Sequence, residues 1–216
     1  MLKKFLCALL LLLFAVTCAG AHPGKLDEYG GHYDKKTGKY HYHKKTPDAE
    51  LRKLAVQLNT QPNTVYKARI KRVIDGDTAV VVFMLDDGKI YKDERVRFLG
   101  VNTPETVHPN KPVEFYGKEA SNFTKENLTD QVIWVQTDVG ARDRYDRLLA
   151  YIWTEEPSEK DLDDENAIRN KMFNAKLLLG GYAQVMTIQP NVRYAEVFLK
   201  FQREARESNT GLWQQQ

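Results

Sequence analysis

The feature that most narrows the fold is a run of short β-type segments from residue 64 to residue 153, with one amphipathic stretch between the third and the fourth. Val65 to Ile74 and Thr78 to Leu85 carry alternating and β-branched residues, the pattern of half-buried strands. Asp86-Asp87-Gly88 is a hairpin signal, and Lys89 to Leu99 returns from it as a third strand. From Glu114 to Thr129 the period changes, and Phe115, Ala120, Phe123 and Leu128 mark the buried side of a helix. Gln131 to Thr137 (Val132, Ile133, Trp134, Val135) is a fourth strand and Leu148 to Trp153 a fifth. An acidic loop over Glu155 to Asn166 leads to a helix over Ala167 to Leu179, ended by Gly180-Gly181. A last helix over Tyr194 to Glu207 closes at Gly211-Leu212-Trp213. The pattern predicts an α+β, mainly β, architecture: a five-stranded OB-type Greek-key barrel with about three packed helices.

The chain of 216 residues has room for one modest domain with extensions. Residues 1–21 read as a signal peptide: Lys3 and Lys4 are basic, Phe5 to Val16 is apolar but short for a membrane span, and Ala19-Gly20-Ala21 resembles a cleavage site. The protein is therefore expected to be exported, to a periplasm or out of the cell, with no stable membrane insertion after cleavage. Lipid anchoring through Cys18 is less favoured, because Thr17 fits a lipobox poorly. Both cysteines, Cys7 and Cys18, fall in this segment, so the mature chain has no disulfide and relies on a packed core or bound metal.

Residues 22–62 form a His/Tyr-rich segment with a short helix, and residues 63–216 the globular domain. His22, His32, His41 and His43 are four of the five histidines in the chain, separated by Gly and Tyr. Few aliphatic residues are available there to build a core. His41 and His43 alternate with Tyr40 and Tyr42, which puts both imidazoles on one side of an extended backbone. His32, His41 and His43 are a candidate second metal site for a transition ion. A solvated tyrosine-rich linker is the alternative, since the paired Cys/His spacing of a zinc site is absent. Leu51, Leu54, Ala55 and Leu58 then recur at helical spacing, with Pro47 at the first position and Thr46 capping. The polar stretch Gln57 to Asn63, with Pro62, marks the domain boundary.

The chemistry concentrates at strand ends. Ile74-Asp75-Gly76-Asp77-Thr78 places two carboxylates around a turn, and Arg97 and Gly100-Val101-Asn102-Thr103-Pro104-Glu105-Thr106 follow the next hairpin. Hard oxygens suit a hard cation such as Ca²⁺. A guanidinium fork suits a phosphate. A carboxylate beside both can take a proton from water. Gly76 is expected to let the chain turn sharply, and Pro104 to fix the geometry of Thr103 and Glu105. The formal net charge of +3 is too small for bulk polycation binding, so any grip on phosphate must be local.

These pieces, together with His108-Pro109, Tyr116-Gly117-Lys118-Glu119-Ala120, Asp143-Arg144-Tyr145-Asp146-Arg147 and Thr210-Gly211-Leu212-Trp213, occur in an order and spacing that resembles the thermonuclease (staphylococcal-nuclease-like) family from about Val65 to Trp213. Residues 22–46 resemble the short Tyr-His-Tyr-His modules found before secreted nuclease-like domains. A monomer is expected, and the family resemblance implies Ca²⁺-dependent cleavage of phosphodiester bonds in DNA and RNA. It implies Ca²⁺ ligation by Asp77, the side chain of Asn102 and the carbonyl of Thr103. It gives Glu105 to the attacking water, Arg97 and Arg147 to the phosphate, and Arg144 and Tyr145 to the nucleotide site.

The chain departs from the family pattern in three places. Asn102 stands where well-known relatives carry a second aspartate, which removes one negative charge and predicts weaker Ca²⁺ binding. Asp146 stands where Gly is common, so its carboxylate either orients Arg147 or opposes phosphate. Ala183 to Gln189 lacks the tyrosines that some relatives set against the nucleotide, which leaves stacking to Tyr145. Lys111 is the one fixed positive charge of the loop Val107 to Val113, which reads as a solvated surface loop. The carboxylates from Glu155 to Glu165 would repel nucleic acid and are expected away from the cleft. Two other functions fit parts of the pattern: a noncatalytic OB-fold nucleic-acid-binding module, and a histidine-segment metal protein in which the barrel is only a support.

Overall fold

A computed structural model describes residues 54, 57–59, 61–84, 90–106 and 112–214, with backbone alone at 31–33, 40–42 and 90–92. The signal segment, the turn at Asp86-Asp87-Gly88, the loop residues 107–111 and His43 lie outside the described residues. The chain divides into two compact units, Met1–Ala49 and Glu50–Gln216. In the first unit, β1 (Gly31–Tyr33) pairs antiparallel with β2 (Tyr40–Tyr42), and His32 stands opposite His41. The backbone at Tyr40-His41-Tyr42 is extended.

In the second unit the alternating segments become strands close to their expected bounds: β3 (Val65–Asp75), β4 (Thr78–Met84) and β5 (Ile90–Phe98). A three-residue strand, β6 (Gly100–Asn102), follows, then β7 (Val132–Arg142) and β8 (Leu148–Trp153). The barrel closes in the order β3-β4-β5-β8-β7, with β7 returning to β3. Every pairing is antiparallel except β5 with β8, which is parallel. Inward residues such as Ile70, Val81, Phe83, Val96, Ile133 and Ile152 are fully buried. Leu54 and Leu58, which lie before the expected boundary at residue 62, are buried in the same core.

Leu54 and residues 57–59 are helical, and further along lie α1 (Gly117–Leu128), α2 (Glu165–Lys171), α3 (Phe173–Leu179) and α4 (Ala195–Glu207), followed by a 3₁₀ turn at Gly211–Trp213. Two expectations are corrected. The helix over 167–179 is two helices broken at Met172. There β8 reaches across: Trp153 bridges Met172, and the Thr154 N–H and hydroxyl both donate to the Lys171 carbonyl. Phe115 is not on a buried helix face. It precedes α1, whose first-turn geometry begins at Tyr116 with φ of 65°, and it is 59% exposed. Among the described residues no helix is long and apolar enough to cross a membrane.

Two features aim the barrel at one end. Asn174, fully buried on α3, accepts from Ile152 N–H and donates to the Leu99 carbonyl, each at 2.8 Å, and so ties β8 to the β5–β6 junction. Gly100 follows with φ of +75°, and a Cβ there would meet Phe198 of α4 at 2.5 Å. β6 then pairs with β9 (Gln184–Met186), with Asn102 opposite Gln184.

Candidate active site

Asp75 ends β3 and Thr78 begins β4, so the strand pair delivers Asp75-Gly76-Asp77 as its tight turn. Arg97 pairs with Thr78 across β4–β5, which sets the guanidinium beside that turn. β6 leads out of β5 and brings Asn102 and Thr103 alongside. Gly76 has an ordinary φ, so conformation does not demand a glycine. Space does: a Cβ would meet the Thr103 Cγ2 and Oγ1 at 2.7 Å. The expected reason for this glycine is therefore corrected from a sharp turn to a close approach of two loops.

Asp77 is 5% exposed. Its Oδ2 accepts from the Thr103 N–H at 2.8 Å and the Thr103 hydroxyl at 3.1 Å, and lies 3.1 Å from Arg97 Nη2. Its Oδ1 accepts from the Thr78 hydroxyl at 3.1 Å. Arg97 is equally buried. Its Nη1 donates to the carbonyls of Phe98 and Val101, both at 2.9 Å, and its Nη2 to the Asn102 Oδ1 at 3.0 Å. Burial lowers the Arg97 pKa, and the neighbouring Asp77 charge opposes that shift. Glu105 is half-buried, and its backbone is clamped: its N–H donates to Glu114 Oε2 and its carbonyl accepts from Glu114 N–H, each at 3.0 Å.

Arg147 comes from a different element, the turn between β7 and β8. Asp143 organises that turn. Its Oδ1 accepts from the N–H groups of Tyr145 and Arg147, and its Oδ2 from Arg147 Nε at 2.7 Å, with Nη2 also at 2.7 Å. Burial pushes the Asp143 carboxyl up, but these hydrogen bonds outweigh it and hold the group below its ordinary value. Asp146 adopts φ of 60°. Its carbonyl accepts from Arg142 Nη1 at 2.9 Å and its carboxylate lies 3.7 Å from Arg142 Nε. Asp146 thus leans on Arg142, which also grips the buried Glu94.

One cleft of about 550 Å³ is lined by Asp77, Arg97, Asn102, Thr103, Glu105, Tyr145 and Arg147. Arg144 is not part of its lining; it donates to the Tyr145 hydroxyl at 2.7 Å and lies over that ring at 4.7 Å. His32 and His41 belong to the other unit. Asp75 also lines the cleft, a site position that sequence reasoning missed. Burial raises its pKa; hydrogen bonds from Thr106 and Gly76 counter this, and the charges of Asp77 and Glu105 add to the rise. Asp143 was likewise missed; a carboxylate four residues before an arginine was the available signal. Hard oxygens gathered around Asp77 fit a cation such as Ca²⁺, whereas no group of three or more His, Cys, Asp or Glu suited to a metal occurs among the described residues. The site is thus chemically compatible with the ion but poor in ligand charge.

The fold and cleft together define an OB-type barrel with a carboxylate-and-guanidinium pocket at one end, suited to phosphoryl chemistry. The comparisons give the family. The chain belongs to the staphylococcal nuclease homologues, whose family model matches residues 95–215. It is 43% identical over 145 residues to Thermonuclease of Staphylococcus intermedius, and 39% identical over 145 residues to Thermonuclease of Staphylococcus hyicus, covering 67% of this chain and 74% of each relative. It is 34% identical over 146 residues to Endonuclease YncB of Bacillus subtilis (strain 168), covering 67% of this chain and 60% of that protein.

Proposed function

We propose that this protein is an exported, Ca²⁺-dependent nuclease that hydrolyses phosphodiester bonds in DNA, RNA or both. The observation that carries the proposal is the convergence of Asp77, Arg97, Glu105 and Arg147 on one cleft. The names of its relatives, Thermonuclease and Endonuclease, support the same reaction class.

Arg97 and Arg147 approach from separate elements, so their forks can grip different oxygens of one phosphate as negative charge builds there. Their fixed positions mean little reorganisation is needed when the charge develops. Glu105, tethered by its backbone and lining the cleft, takes the proton of the attacking water. Asp77, the Asn102 amide oxygen and the Thr103 carbonyl would hold Ca²⁺. When bound, the ion supplies Lewis-acid stabilisation of the phosphate charge. Tyr145, 61% exposed at the rim, offers a ring for a base. Export rests on the composition of residues 1–21.

Digestion of DNA and of RNA, with Ca²⁺ and with a chelator, tests the proposal. Cleavage is expected with Ca²⁺ and lost with chelator, and Glu105→Ala is expected to lower it by about 10²–10⁴ while leaving the protein folded. Binding of nucleic acid without turnover would make the protein a noncatalytic module instead. Asn102→Asp should tighten Ca²⁺ by roughly tenfold in calorimetry, since ligand charge sets affinity. Unchanged affinity removes Asn102 from the ion site.

A further inference from the structure

Two bulges interrupt β3. Its register against β4 jumps between Ile70 and Arg72 and again between Val73 and Asp75. Each bulge inserts one extra residue into the strand. The outward period of two becomes three, so Arg69, Arg72 and Asp75 pair in turn with Val82, Val80 and Thr78 of β4. Those residues stand opposite Asp93, Arg95 and Arg97 of β5. The outer face of the barrel therefore reads in rungs. The first, Asp75–Thr78–Arg97, is the floor of the candidate site. The second is Arg72–Val80–Arg95.

Arg72 and Arg95 are exposed, and both line the same cleft as Asp77, Arg97 and Glu105. Rungs two residues apart on a strand are separated by about 6.5–7 Å, on the scale of one nucleotide link. Across the rung the two backbones are separated by two strand spacings, about 9–10 Å, so two long side chains can close on one phosphate above Val80. The nearest carboxylate on the same face of β5, Asp93, is taken by Lys71 at 2.6 Å. Among the described residues neither the Arg72 nor the Arg95 side chain has a hydrogen-bond or ion-pair partner.

We propose, resting on the nuclease reading of the cleft, that Arg72 and Arg95 bind the phosphate adjacent to the scissile one. The ligand is an internal phosphodiester of a single polynucleotide strand. The pair is a specificity device: it favours a strand that continues past the cleavage point over a dinucleoside monophosphate, which has no second phosphate to offer.

The test compares the full chain with an Arg72→Gln/Arg95→Gln double variant on two substrates, a single-stranded DNA oligonucleotide and a dinucleoside monophosphate. The ratio of kcat/KM between the long and short substrates should fall about tenfold, through KM on the long one, the loss of roughly one charge-assisted contact set. An Arg72→Lys/Arg95→Lys variant should recover part of it. A general folding defect would lower both substrates together and leave the ratio fixed, and a fixed ratio overturns the proposal. Fluorescence anisotropy with labelled single-stranded DNA gives a second readout: the slope of log affinity against log salt should become shallower by about 0.7. If the unaltered protein cleaves nothing, the nuclease reading fails, and the salt slope still decides the subsite by itself.

Discussion

The cleft installs the same functional group twice, by opposite means. Arg97 sits in the floor. Its side chain is 7% exposed and is shared among two backbone carbonyls, an amide and a carboxylate drawn from three segments. Arg147 sits on the rim. Its side chain is 25% exposed and is held by Asp143, four residues away in the same turn. The floor is therefore part of the folded core, and position there is guaranteed by burial. The rim is local, and position there is guaranteed by one carboxylate. A site built this way can lose its rim and stay folded, but cannot lose its floor without cost.

Arg97→Ala should have the largest effect. It leaves Asp77 buried beside an empty space, and breaking a buried pair costs about 3–5 kcal/mol. Cleavage should fall by at least about 10²–10³. Arg97→Lys should not restore it, since an ammonium cannot reproduce the fork that reaches Phe98, Val101 and Asn102 together. Arg147→Ala should match the loss of cleavage, about 10²–10³, yet change stability by no more than about 1 kcal/mol. Urea unfolding beside steady-state kinetics separates the two. Equal stability losses would erase the distinction between floor and rim.

The floor and the rim were also unequally legible in the sequence. The strands from Val65 to Phe98 announce themselves by period and turn chemistry, and the Asp77, Arg97 and Glu105 assignments follow from motif order. The closure of the barrel follows from five such segments. What stayed hidden depends on tertiary contact. β6 and β9 are too short to carry a period. The break at Met172 comes from β8 competing for the Lys171 carbonyl, which no local propensity records. Gly76 looks like a turn residue until Thr103 is seen against it. The bulges of β3 change which residues face outward, so a strict period of two, running 69, 71, 73, 75, would turn Arg72 inward. Asn102 read as a cation ligand, and its oxygen faces Arg97 as well.

Asp143 tests the rim at the next level of magnitude. Its folded pKa is depressed by hydrogen bonds from Arg147 and Tyr145. A depressed carboxylate contributes stability that is fully present above the unfolded pKa and is lost as pH falls through the folded one. Asp143→Asn should therefore cost roughly 1 kcal/mol at neutral pH. The gap to the parent should close as acid is added through the carboxylate range. Cleavage should drop about tenfold, because Arg147 is no longer oriented. Unfolding curves at several pH values check the sign. A gap that widens in acid would mean that Asp143 does not hold the rim through its charge.

Asp146 should give the smallest effect and the finest test of how the rim is built. Its φ of 60° lies in the left-handed region, where a Cβ is strained and Asp is better tolerated than most residues. Its side chain is 90% exposed, so its one ion pair, with Arg142 at 3.7 Å, counts for little. The backbone carbonyl, which accepts from Arg142, survives any substitution. Glycine relieves the strain, although it gives the unfolded chain more freedom. Alanine keeps the strain and loses the tolerance. The expected order of stability is Asp146→Gly above the parent and the parent above Asp146→Ala, in steps of about 0.5–1 kcal/mol. Thermal melts should resolve steps of that size, at about 2–4 °C per kcal/mol. Cleavage should stay close to the parent in both variants, since the carboxylate turns toward Arg142. A marked loss of cleavage in Asp146→Gly with stability intact would assign the carboxylate to orienting Arg147 after all.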